Sequence, residues 1–144
     1  MKINFSKKIG VSILVIFVIL LFGLLLFQNQ RVEILTDKKE YENGTTLKIK
    51  IRNLSFKNIC FSSCYPYYLE KKEGSWKPYN YQECIEPDLA EKCMKPGETK
   101  AFEISLPKVK KGIHRVAIPC CENCKMNSEF KETKRFYSNE FEIK

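Results

Sequence analysis

The chain begins with one unbroken apolar run and continues as short segments that alternate between apolar and polar residues. Gly10 to Phe27 (GVSILVIFVILLFGLLLF) spans eighteen residues without a charge, and Ser12 is its only hydroxyl. As a helix this run rises about 27 Å, close to the roughly 30 Å of hydrocarbon in a bilayer. A surface helix of a soluble domain keeps a polar stripe, and this run has none. It predicts a transmembrane helix over 10–27. Lys2, Lys7 and Lys8 precede the run, and Arg31 is the first charge after it. The excess of Lys on the short side keeps residues 1–9 as a cytoplasmic stub and sends the chain outside after a 28–31 linker. The expected location is a cell membrane, crossed once. A cleaved signal peptide is the alternative, but its apolar run is shorter and LLLFQNQR offers no A-x-A-like cleavage site.

From Val32 onward the period becomes two. VEILTD (32–37) reads as a first strand, and Asn43-Gly44 is a turn signal. In Thr46 to Asn53, Leu47, Ile49 and Ile51 alternate with Lys48, Lys50 and Arg52, the pattern of a half-buried antiparallel strand. Ile59-Cys60-Phe61 is an apolar patch within a turn-rich stretch. Tyr67–Lys72 and Trp76–Tyr81 flank Glu73-Gly74-Ser75 as a hairpin. Cys84 to Cys93 reads as a loop and Pro96-Gly97 as a turn. Phe102, Ile104 and Leu106 alternate up to Pro107. After Gly112, the residues His114, Val116 and Ile118 share a face. Cys120 to Lys134 reads as a polar loop, and Phe136 to Ile143 as the last strand. About seven short strands, with turns every 8–12 residues or so and no amphipathic helix, predict an all-β chain. Residues 32–144 are expected to form one antiparallel β-sandwich with Greek-key connections.

Composition changes this picture in two places. The net charge is +8, of which Lys2, Lys7 and Lys8 supply three, leaving +5 on the exported part. Those charges are interleaved (DKKEYE, LEKKEGSWK, FKETKR), as on a solvated surface, and they form no basic-plus-aromatic tract for nucleic acid. All seven cysteines (Cys60, Cys64, Cys84, Cys93, Cys120, Cys121, Cys124) follow the apolar run. A Cys-dense domain outside the cytoplasm ordinarily carries disulfides.

The segments DKKEYENGTTLKIKIRNLS, YYLEKKEGSWKPY, MKPGETKAFEISLP, GIHRV and YSNEFEI, in that order, resemble the bacterial immunoglobulin-like (Ig-like) domains of membrane-anchored and secreted proteins. The likeness runs from about Val32 to Ile143. It is carried by Tyr41-x-x-Gly44, Leu69-Glu70 ahead of Trp76, Pro96-Gly97-Glu98 and Gly112-x-x-Arg115. Such domains usually carry a Tyr where this chain has His114. The resemblance implies an Ig-like sandwich serving as an adhesion, spacer or interaction module. It implies no chemistry, since one fold hosts many functions.

On that fold, Cys60 and Cys64 come to the same end as Cys120, Cys121 and Cys124, while Cys84 and Cys93 form a local pair. Cys84–Cys93 is the favoured bridge, with one or two more between the other two groups. The pairing stays open, because six cysteines already allow fifteen arrangements. The same residues permit a thiol- or zinc-handling domain that uses Cys60/Cys64 and Cys120/Cys121/Cys124. Two close pairs suit a four-thiolate zinc shell, and Cys121-Glu-Asn-Cys124 has the spacing of a redox dithiol. His114 lies on an inward row without a nucleophile at a recognisable spacing, so it reads as a core histidine. Tyr65, Tyr67, Tyr68, Trp76, Tyr79 and Tyr81 are candidates for an aromatic contact surface. Asn43-Gly-Thr45 and Asn53-Leu-Ser55 match the glycan acceptor pattern but stand where turns and strand ends favour Asn anyway. No catalytic residue, metal ligand or cofactor is assigned. The expected function is a non-enzymatic, membrane-anchored extracytoplasmic module with an envelope or protein partner. A protease-inhibitor-like exported module is the alternative from another class.

Overall fold

The computed structural model describes residues 15–18, 20, 23, 31–79, 83–106 and 108–144. Met1–Arg31 and Val32–Lys144 are two separate compact units. Most of the 10–27 run lies outside the described residues. The part within them is helical, with Val15, Ile16, Phe17, Val18 and Leu20 exposed. Among the described residues no helix is long and apolar enough to cross a membrane.

The second unit is all-β. Its strands are β1 (Val32–Thr36), β2 (Glu40–Tyr41), β3 (Thr46–Asn53), β4 (Ile59–Ser62), β5 (Tyr68–Glu73), β6 (Ser75–Pro78), β7 (Ala90–Met94), β8 (Thr99–Ser105), β9 (Gly112–Glu122), β10 (Lys134–Tyr137) and β11 (Phe141–Ile143). One sheet has the order β1-β3-β8, and the other runs β2-β11-β9-β4-β7, with β10 and β5 also on β9 and β6 on β5. The alternation in β3 becomes burial: Leu47, Ile49, Ile51 and Asn53 are buried, while Lys48, Lys50 and Arg52 are exposed. One hydrophobic cluster joins the sheets through residues such as Leu47, Ile51 and Ile104 from the first and Ile59, Val116, Ile118, Phe141 and Ile143 from the second.

Strand β9 is the axis of the larger sheet. Along one edge it pairs with β5 (Leu69↔Val116) and then β4 (Cys60↔Cys121). Along the other it pairs with β11 (Phe141↔His114) and then β10 (Phe136↔Ile118). At the break between β10 and β11, Ser138 stands in for a ladder partner: the Val116 amide donates to its hydroxyl at 2.9 Å. The interior is apolar enough that each buried polar group needs a partner. Asn53, fully buried, donates to the Lys57 and Met94 carbonyls and accepts from Ser55.

Five details depart from the sequence reading. The 120–134 stretch is not all polar loop, because β9 runs on to Glu122 with Cys120 and Cys121 buried. The described residues hold eleven strands rather than about seven. The 84–93 stretch is not all loop, because its end forms β7, whose Ala90 and Met94 are buried against β4. The last strand is interrupted at residues 138–140. The pairing is also mixed, since β11 runs parallel to β2.

Candidate functional site

Alternation along β9 sends its even-numbered residues into the sandwich and its odd-numbered residues to the outer face of the sheet. Arg115 is the organising residue outside. Its Nε donates to Glu70 Oε2 at 2.7 Å, and Glu70 stands directly opposite on β5. The guanidinium carbon lies 4.2 Å from the Trp76 ring centre and 3.8 Å from that of Tyr137, so the cation is held between two aromatic faces. Arg suits this position because a planar, weakly hydrated fork can stack and form an ion pair at once. Lys72 Nζ reaches the Trp76 ring at 5.4 Å. Further along, Arg135 lies 5.1 Å over Tyr68, which stacks on Tyr65 at 5.7 Å. Glu132 holds Arg135 through two bonds of 2.8 and 2.7 Å.

Of the aromatic candidates, Tyr65, Tyr68 and Trp76 belong to this face. Tyr67 and Tyr79 instead pack against the hydrophobic cluster. For Tyr67 the reason is parity, since it shares the inward side with Leu69. Tyr79 is drawn in by His114: its hydroxyl is 3.0 Å from Nε2, and the two rings stack at 5.9 Å. Tyr81 lies outside the described residues. Glu70 and Arg115 entered the sequence reading only as parts of the family resemblance, not as contact residues, and Tyr137 and Arg135 did not enter it. Their signal was available in the odd positions of β9 and in the cationic and aromatic residues of KRFY.

His114 is fully buried and stacked between Tyr79 and Phe141. Nδ1 donates to the Gly112 carbonyl at 2.8 Å, which makes Nε2 of the neutral ring the acceptor for the Tyr79 hydroxyl. Burial holds its pKa below the ordinary value, partly offset by that carbonyl. It serves as a core polar pair.

The cysteines are joined differently from the favoured pairing. Cys84 bridges Cys64 and Cys93 bridges Cys60, so Cys84–Cys93 does not form; Cys121 bridges Cys124. The physical reason is β7. As a strand beside β4 it carries Cys93 up to Cys60, while the 83–89 segment folds back over the end of β4. There Asp88 accepts the Ser62 hydroxyl at 2.7 Å, and the Leu89 carbonyl takes the Ser63 amide at 2.9 Å. Cys60 does lie beside Cys121, its register partner across β4 and β9. Cys64 does not join them, so a zinc shell of Cys60, Cys64, Cys121 and Cys124 is not assembled. Among the described residues no group of His, Cys, Asp or Glu is arranged to hold a metal ion. Cys120 has no bridge and is fully buried, its thiol pushed up to about 12 by burial and by Glu132 and Glu122. It therefore acts as a small core residue, not as a link to another chain.

A recess of about 120 Å³ opens between the sheets, lined by residues including Ile49, Phe61, Tyr67, Phe102 and Ile118. Ligand pockets ordinarily measure about 300–1,000 Å³. Wider depressions of about 300 and 460 Å³ lie by Lys71, Lys77 and Tyr79 and by Cys64, Cys84 and Glu86, lined largely by exposed residues. The outer aromatic face, whose side chains hold one another in place, is the better candidate for contact. No curated protein matches the chain. A family model described as bacterial Ig-like domain matches residues 28–132, from ahead of β1 to beyond β9. With most of its length so matched and two sheets closed over one core, the chain belongs to the bacterial Ig-like domain family.

Proposed function

We propose that the protein is a single-pass envelope protein whose Ig-like sandwich sits outside the cytoplasm as a non-enzymatic contact module. Its partner is another envelope protein or a cell-envelope polymer. The membrane assignment rests on the eighteen uncharged residues from Gly10 to Phe27 and the lysines ahead of them. Three disulfides fit an oxidising location.

The observation that carries the contact role is the Trp76–Arg115–Tyr137 stack on an open sheet face. Trp, Tyr and Arg are the residues that dominate binding energy at interfaces, and here they come already ordered by Glu70. The test is retention of the full-length chain, in detergent, on an envelope fraction from the source cells. Replacing Trp76 and Tyr137 by Ala is expected to weaken retention at least about tenfold, the loss of one strong anchor. Equal retention of the two proteins overturns the contact role. A C-terminus that resists added protease in intact cells, yet is cut after lysis, overturns the orientation.

A further inference from the structure

Two of the disulfides are neighbours. Cys60 and Cys121 face each other across β4 and β9, each bridged to a cysteine on its far side, Cys93 and Cys124. Directly opposed residues of an antiparallel pair stand about 4.5–5.5 Å apart at Cα, within the roughly 4.4–6.8 Å a disulfide spans. The Cys60 sulfur also lies 3.6 Å from the Cys124 carbonyl oxygen. A third bridge, Cys60–Cys121, is therefore geometrically available without moving either strand. Access is asymmetric: Cys60 and Cys121 are fully buried, whereas Cys93 and Cys124 are partly exposed.

We infer that Cys60, Cys93, Cys121 and Cys124 form a thiol–disulfide exchange site that accepts two electrons from an external thiol and stores the result as a Cys60–Cys121 bridge. The thiolate of the external thiol attacks the Cys124 sulfur, forming a mixed disulfide and releasing Cys121 as a thiolate. Cys121 then attacks Cys60, forming Cys60–Cys121 and breaking Cys60–Cys93. Cys93 leaves as a thiolate and takes a proton from water. A second external thiol resolves the mixed disulfide, leaving Cys124 as a thiol and departing as the oxidised dimer. Two external thiols lose two electrons, and Cys93 and Cys124 gain them as two S–H groups.

The topology favours this route. β7 ends its sheet beyond β4 and is tied at Ala90 to Asn127 and Ser128, while around Cys93 its register against β4 shifts between Ile59 and Phe61. Lys92, next to Cys93, holds the left-handed region at φ 48°, which a non-glycine residue adopts at a cost. Losing the Cys93 bridge leaves β7 held by its ladder to β4 and by Met94, which stays buried in the core. The reduced product keeps its remaining bridge of the cluster buried and turns its two thiols outward. Cys120 takes no part, because it points to the opposite side of β9 with its thiol held protonated.

The test is a bridge map of the full-length chain carrying Cys120→Ala, after partial reduction by glutathione, acid quenching and alkylation. Cleavage after Glu122 separates Cys121 from Cys124, and cleavage after Lys92 isolates Cys93. The expected product carries Cys60 joined to Cys121, with Cys93 and Cys124 alkylated, in more than half of the singly reduced molecules. Two variants approach the same bridge from opposite ends without a reductant. Cys124→Ser leaves a Cys121 thiol that displaces Cys93, and Cys93→Ser leaves a Cys60 thiol that displaces Cys124. Either variant is expected to show the Cys60–Cys121 bridge as its main species, with exchange about tenfold faster for each unit the pH is raised toward the thiol pKa. Singly reduced molecules that mainly keep Cys60–Cys93 with Cys121 and Cys124 both alkylated overturn the proposal. So does a folded variant that keeps its remaining original bridge. The partial-reduction map, made on a chain that keeps all four cysteines of the cluster, decides if either variant fails to fold.

Discussion

The two faces of β9 are built on different physics from one stretch of sequence. Inward, His114, Val116, Ile118 and Cys120 meet apolar neighbours, and the one polar ring is satisfied by Tyr79 and Gly112. Outward, Arg115, Ala117, Pro119 and Cys121 are held by an ion pair, ring stacking and a disulfide. The inner face is held by area removed from water, which is indifferent to direction; the outer face depends on pairs that work only in one geometry. Cys120 and Cys121 condense the contrast. They are adjacent in the chain, yet one is an inert core side chain and the other is tied into a turn.

If that contrast is real, substitutions on the two sides should fail differently. The largest loss is expected from Ile118→Ala, which opens a cavity at the centre of the sandwich and should cost about 2–5 kcal/mol in chemical denaturation. A cost under about 1 kcal/mol would show that the two sheets are not closed over Ile118. Arg115→Ala comes next, at about 2–4 kcal/mol, because it strands the buried Glu70 carboxylate and uncovers Trp76. Arg115→Lys keeps the charge but loses the fork and the stack, and should recover only part of that loss. Full recovery by Lys would reduce the outer face to simple charge pairing.

The smallest effect is a pH dependence. Burial lowers the pKa of His114 from 6.5, so below that pH the unfolded chain takes a proton the folded chain refuses. Its contribution is complete above pH 6.5 and falls away as the pH drops toward the folded pKa, by up to about 1.4 kcal/mol per unit. Denaturation midpoints at pH 5.5 and 7.5 should therefore diverge in the native protein and draw together in His114→Phe. An unchanged difference in that variant would place the sensitivity elsewhere.

Much of the inner face could be read directly from residue order. The rows Leu47/Ile49/Ile51 and His114/Val116/Ile118 obey a period of two; burial follows it in β3, whereas in β9 everything from Val116 to Cys121 is buried because neighbours cover the outer side too. The outer face was harder, because its parts come from four strands and only register brings Glu70, Trp76, Arg115 and Tyr137 together. The disulfides were misread for a related reason. Cys84 and Cys93 are close in the chain, but proximity in sequence does not outweigh a strand that turns one of them toward Cys60. Nothing in AEKCM alternates cleanly enough to announce that strand, since Lys92 breaks the pleat.

The parallel pairing of β2 with β11 has a mechanical consequence. Glu142 and Lys144 donate to the carbonyls of Lys39 and Tyr41 at 2.8 and 3.0 Å. A pull applied at Val32 and Lys144 draws these two strands lengthwise past each other, so both bonds bear load together instead of opening one after the other. Tension entering at Val32 also loads β1 and its ladder to β3, so the clasp and the core share it.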